Sequence, residues 1–73
     1  MRIINLDETG IKLIASNKKQ MYLSLSEIKD FIDEKYKLEE NILTFYEKTL
    51  LLSESDIQEL PNILNYMRSN FNK

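Results

Sequence analysis

The chain has no cysteine, no histidine, no tryptophan and no valine, and only one glycine and one proline in 73 residues. Each gap removes a class of chemistry. Without cysteine there is no disulfide, no thiolate metal site and no thiol nucleophile. Without histidine the commonest general acid–base group and the commonest zinc or copper ligand are missing. Phosphate-cradling loops need several glycines, and Gly10 stands alone, so Walker and dinucleotide-binding motifs are excluded. No apolar run approaches the roughly 20 residues of a membrane helix. The opening MRIINLDETG breaks its apolar stretch at Asn5, which does not fit a signal peptide. The expectation is a cytoplasmic protein with no cofactor and no membrane association.

What is present fits one small domain spanning residues 1–73. Apolar residues make up 42% and charged residues 30% of the chain, proportions of a folded domain rather than a disordered tail. A chain of this length buries only about 60% of its unfolded surface, and self-association is a common remedy for so small a core. Ten basic against twelve acidic residues give a net charge of -2, which does not favour nucleic acid or an anionic membrane. Every Ile/Val position is Ile, and Asn and Lys are abundant. That composition points to an AT-rich coding sequence, such as a low-GC bacterium or its phage.

Along the chain, RIINL (residues 2–6) and IKLIA (residues 11–15) flank DETG and predict a β-hairpin with Gly10 at positive φ. QMYLS (residues 20–24) alternates as a third strand. Ser24 and Glu27 then form an S-x-x-E capping box, with Leu23 and Ile28 placed as a hydrophobic staple. Leu25, Ile28, Phe31, Ile32 and Tyr36 follow at helical spacing and predict a helix over about 25–37. Glu39 to Asn41 read as a polar break. ILTFY (residues 42–46) and TLLL (residues 49–52) predict two more strands. Ser53 and Asp56 repeat the cap, with Leu52 and Ile57 as the staple. A helix then runs to about residue 71, with Pro61 predicting either a kink or a fresh start.

LSLSEIKDF (residues 23–31) and LSESDIQEL (residues 52–60) are the same helix-start device written twice, 29 residues apart. At that offset the halves align without a gap, matching Leu13 with Ile42 and Ile14 with Leu43. A possible internal repeat spans 12–38 and 41–71. Convergence on a common helix start explains the likeness equally simply. The expected fold is α+β: a five-stranded, mainly antiparallel sheet with two helices, in the order β-β-β-α-β-β-α.

Candidate chemistry is sparse. Glu39 and Glu40 are adjacent, but a solvated loop explains them better than an acid–base pair. Asp30, Asp33 and Glu34 lack the spacing and glycine of a calcium loop. The serines have no histidine to activate them, and capping accounts for Ser24 and Ser53. No catalytic residue and no metal ligand emerge, and an enzyme is not expected. Alternation instead leaves apolar side chains over. If Leu23 and Leu52 face the helices, so do Met21, Leu43, Phe45 and Leu50. Leu13, Tyr22, Ile42, Tyr46 and Leu51 are then expected on the opposite face. Such a face often marks an interface. The leading expectation is a non-enzymatic protein-interaction module, a phage or mobile-element accessory protein that binds and modulates a host protein, or a homodimer formed through this face or a sheet edge. The alternative is a single-stranded nucleic-acid binder that stacks bases on Tyr22 and Tyr46, with Lys12, Lys18, Lys19 and Lys48 supplying charge.

Overall fold

The computed structural model describes residues 1–71. Its elements are β1 (Arg2–Asn5), β2 (Gly10–Ile14), β3 (Gln20–Ser24), α1 (Leu25–Ile32), β4 (Lys37–Glu39), β5 (Ile42–Phe45), β6 (Lys48–Leu51) and α2 (Glu54–Phe71). The fold is α+β, but the single five-stranded sheet is not formed. Six strands make two separate three-stranded antiparallel sheets, in the orders β1-β2-β3 and β4-β5-β6. Each half of the chain therefore reads three strands and a helix.

The missed strand is β4, and the reason lies at the end of α1. The helix stops at Ile32, not near residue 37. Glu34 takes a left-handed conformation with φ 58°. Its N–H donates to the Phe31 carbonyl at 3.0 Å, and the Lys35 N–H donates to the Asp30 carbonyl at 3.1 Å. That pair of bonds is a Schellman motif, normally closed by glycine. With glutamate in the role, the stop carries no glycine signal. The chain then reverses into β4, where Leu38 pairs with Leu43 and Glu39 with Ile42. The turn between them, Glu40 and Asn41, has positive φ at both residues, the requirement of a type I′ hairpin.

The first hairpin forms as expected, with Gly10 at φ 142°. Conformation is only half of its role. A Cβ at position 10 would lie 2.1 Å from the Leu23 carbonyl oxygen, because β2 and β3 pass closely at the Gly10–Ser24 pair. Both helix starts are capped as expected. Ser24 Oγ accepts from the Glu27 N–H at 3.3 Å, and the Ser24 N–H donates to Glu27 Oε1 at 2.9 Å. Ser53 and Asp56 repeat the exchange at 3.2 and 3.0 Å. α2 runs unbroken through Pro61. Pro61 has no N–H, so it cannot supply the helical bond to the Ile57 carbonyl.

The core is continuous between the two halves. Met21, Leu23, Leu43, Phe45, Leu50 and Leu52 are all buried, as the alternation requires, together with Ile28 and Phe31 of α1 and Leu60, Leu64 and Met67 of α2. Phe31 meets Phe45 edge-on at 5.3 Å, so α1 of the first half touches the second sheet's inner face.

Leu13 corrects the repeat. It is completely buried, not on the outer face. Leu13 stands opposite Met21, and Leu43 stands opposite Leu50. Since Met21 and Leu50 are 29 residues apart, the structural counterpart of Leu13 is Leu43, which is 30 residues away. The connection between the second and third strands is one residue shorter in the second half. A gapless alignment is thus off by one in β2, and one residue of slip turns a side chain to the opposite face.

Candidate interaction surface

The outer side of the two sheets is built from the alternate strand positions. Ile42 and Leu51 are directly opposite each other on β5 and β6. Tyr22 on β3 stands opposite Lys12 on β2. Tyr22, Ile42, Leu51 and Tyr46 are between 41% and 59% exposed, values that separate them from the closed core beneath. Tyr22, Ile42 and Leu51 are therefore exposed on this face and Leu13 is buried, while Tyr46 is exposed in the β5–β6 turn, with its hydroxyl turned to Asp30 of α1 and not on the outer sheet face.

β3 and β6 are terminal strands of their sheets and lie side by side without a backbone ladder. Side chains from the opposite half close these edges instead. Lys48 Nζ donates to the Tyr22 carbonyl at 2.6 Å, and Asn17 Nδ2 donates to the Leu51 carbonyl at 3.3 Å. The exchange is reciprocal: Asn17 in the β2–β3 turn and Lys48 at the start of β6 each satisfy an edge carbonyl of the other half.

The turns also reach across to the helix starts. Lys48 Nζ bonds Glu27 Oε1 at 2.7 Å, at the cap of α1. That bond, with the Ser24 N–H, holds the Glu27 carboxyl below its ordinary pKa. Tyr46 occupies the β5–β6 turn at φ 55°, an uncommon conformation for an aromatic residue. Its ring lies 4.5 Å from that of Phe45, and its hydroxyl donates to the Asp30 carboxylate. This bond raises the Tyr46 pKa by favouring the protonated phenol. In the other direction, Ser16 of the β2–β3 turn reaches the cap of α2. Its N–H and hydroxyl donate to Asp56 Oδ2 at 3.1 and 3.0 Å.

Asp56 is completely buried. The Met1 ammonium lies 2.9 Å from Oδ1 and also bonds Glu59. The ammonium neutralises Oδ1 as an ion pair. Burial alone would push the carboxyl upward. The bonds from the Ser53 N–H, the Met1 ammonium and Ser16 outweigh burial and hold it well below the usual carboxylate range. The S-x-x-D spacing identified the cap, whereas its partners 40 and 55 residues away left no local signal.

The lysines expected near the strand aromatics are dispersed. Lys48 Nζ lies 5.6 Å over the Tyr22 ring, but Glu27 takes up its charge. Lys12 is half-buried beside Tyr22, while Lys18 and Lys19 are exposed in the β2–β3 turn. Among the described residues no three acidic side chains gather as a metal site, and no helix is long and apolar enough to cross a membrane. Sequence reasoning missed a second feature, a cleft of about 320 Å³ between α2 and β4. Tyr36, Leu38, Ile57, Leu60, Pro61 and Leu64 line it. Leu38 fell between the expected helix and the expected polar break, which hid its place beside α2. No protein-family model, curated protein or solved structure matches this chain.

Proposed function

We propose that the protein is a non-enzymatic interaction module that binds a protein partner through its outer sheet surface. The observation that carries this reading is the exposure of Tyr22, Ile42 and Leu51 on the outer strand positions, with Tyr46 exposed in the adjoining β5–β6 turn, over a core that is already closed without them. Aromatic and aliphatic side chains at an interface gain by leaving water, and tyrosines anchor such contacts well. The Asn-, Ile- and Lys-rich composition supports a phage or mobile-element accessory protein acting on a host protein in the cytoplasm of a low-GC bacterium. Single-stranded nucleic acid is the less favoured partner, because the lysine that lies over the exposed Tyr22 ring is already paired with Glu27.

The test compares the wild-type chain with a Tyr46→Lys, Leu51→Lys variant as baits in a lysate of a low-GC bacterial host. A protein retained by the wild type and lost from the folded variant supports the reading. Equal retention by both rejects this face. A labelled oligonucleotide shifted by the wild type, with affinity falling steeply in salt, would select the nucleic-acid alternative.

A further inference from the structure

β4 is a sheet edge with an unusual self-complementarity. The two-residue turn Glu40–Asn41 makes Glu39–Ile42 a hydrogen-bonded pair, so Glu39 and Lys37 direct their backbone groups towards β5. By the same alternation, the N–H and carbonyl of Leu38 point off the open edge of the sheet. β4 is the terminal strand, and all three of its residues are exposed. The Leu38 side chain lies on the inner face, bordering the apolar cleft against α2. Among the described residues, neither Lys37 nor Glu39 forms an ion pair within the chain.

We propose that β4 pairs with β4 of a second copy of this chain, antiparallel and centred on Leu38. In that register the two Leu38 residues exchange both backbone hydrogen bonds, using the groups that β5 leaves free. Lys37 of each copy stands opposite Glu39 of the other, in the closer, non-hydrogen-bonded pairs where opposite charges interact best. The two Leu38 side chains meet on the inner face and roof the paired clefts beside Leu60 and Leu64. The β4-β5-β6 sheets of the two copies become one six-stranded sheet. The other unpaired edge, β1, has no such match. Its Arg2 finds no acid on the strand RIIN, so self-pairing there brings no opposite charge. A three-residue contact makes a small interface, in the class below about 1,200 Å² that gives weak, reversible association. Ile42 borders this edge through its pairing with Glu39, but Tyr22, Tyr46 and Leu51 do not belong to it; the Tyr46→Lys, Leu51→Lys variant leaves the edge unaltered, so dimerisation stands or falls separately from partner binding.

The experiment is a charge swap read by sedimentation equilibrium up to millimolar protein. Lys37→Glu alone places four carboxylates across the edge, and Glu39→Lys alone places four ammonium groups there. Both residues are exposed, so circular dichroism should show both variants folded. The wild type is expected to move from 8.7 kDa towards twice that mass as concentration rises. Each single variant should associate about tenfold or more weakly. The double swap should restore association, and so should an equimolar mixture of the two single variants. The Leu38 amide should gain hydrogen-exchange protection in step with the dimer. A wild type that remains monomeric throughout overturns the proposal. So do single variants that dimerise as the wild type does, or a mixture that fails to associate.

Discussion

Ser16 and Asp56, 40 residues apart in the chain, are joined by two hydrogen bonds, from the Ser16 N–H and hydroxyl to Asp56 Oδ2 at 3.1 and 3.0 Å. The contact ties the β2–β3 turn of the first half to the start of α2 in the second. Lys48 makes the reverse connection, from the start of β6 to Glu27 at the start of α1. Neither half is therefore closed without the other. The helix caps, which look like local devices, are also the joints between the halves.

Replacing Asp56 should be among the most damaging single changes. Asp56→Ala removes the box partner of Ser53, leaves the Ser16 donors without their acceptor and leaves the Met1 ammonium with Glu59 alone. The expected loss is about 3 kcal/mol, the scale for breaking a buried ion pair with charge-assisted hydrogen bonds. Urea unfolding of the two chains side by side measures it.

Stability should fall in acid, and the sign follows from the direction of the shifts. The Asp56 and Glu27 carboxyls both lie below their ordinary values when folded. Their contribution is complete above the unfolded carboxylate range near pH 4, and is lost as pH falls towards the folded values. The Met1 ammonium is raised by its bonds to Glu59 and Asp56, so its contribution is present below about pH 8 and is lost as pH rises further. Urea midpoints between pH 7 and pH 2 should drop steeply for the wild type and less for Asp56→Asn. Equal slopes would show that Asp56 does not carry the acid dependence.

Glu34→Gly should stabilise the protein. Glu34 holds φ 58° at the close of the Schellman motif, where glycine has no steric cost. Its ion pair with Arg68 is long, at 3.8 Å, and both side chains are largely exposed, so little is lost with the carboxylate. The expected gain is about 0.5–1 kcal/mol, seen as a higher thermal midpoint.

Gly10→Ala should do the reverse. The added Cβ would meet the Leu23 carbonyl at 2.1 Å, and φ 142° is closed to alanine. β2 and β3 would have to separate where Gly10 pairs with Ser24, which also disturbs the cap of α1. A loss of about 3 kcal/mol or more is expected from strain of this kind, read as a lowered urea midpoint.

The readings that held rest on neighbours within a few residues. Ser24 with Glu27, and Ser53 with Asp56, needed only a three-residue spacing. The inward faces of Met21, Leu23, Leu43, Phe45, Leu50 and Leu52 followed from period-two alternation carried back from each cap. The readings that failed crossed a turn. Leu13 was aligned with Ile42 and expected on the same face, but the β2–β3 connection is one residue longer than its counterpart and Leu13 points into the core. β4 was lost because Glu34, not glycine, ended α1, so Tyr36 still matched the helical spacing after the helix had stopped.

The sequence by itself determined where each helix begins, which residues of β3, β5 and β6 face inward, and which catalytic and metal chemistries have no residues to support them. Those properties depend on spacing and side-chain type alone. Only the tertiary structure decided that six strands divide into two sheets, that Asp56 is buried against Ser16 and Met1, and that β4 leaves the Leu38 edge open beside an apolar cleft. Each of these depends on contacts between segments far apart in the chain. A turn's length and the sign of one φ angle set those contacts, and neither quantity is marked by residue type when glutamate stands where glycine is usual.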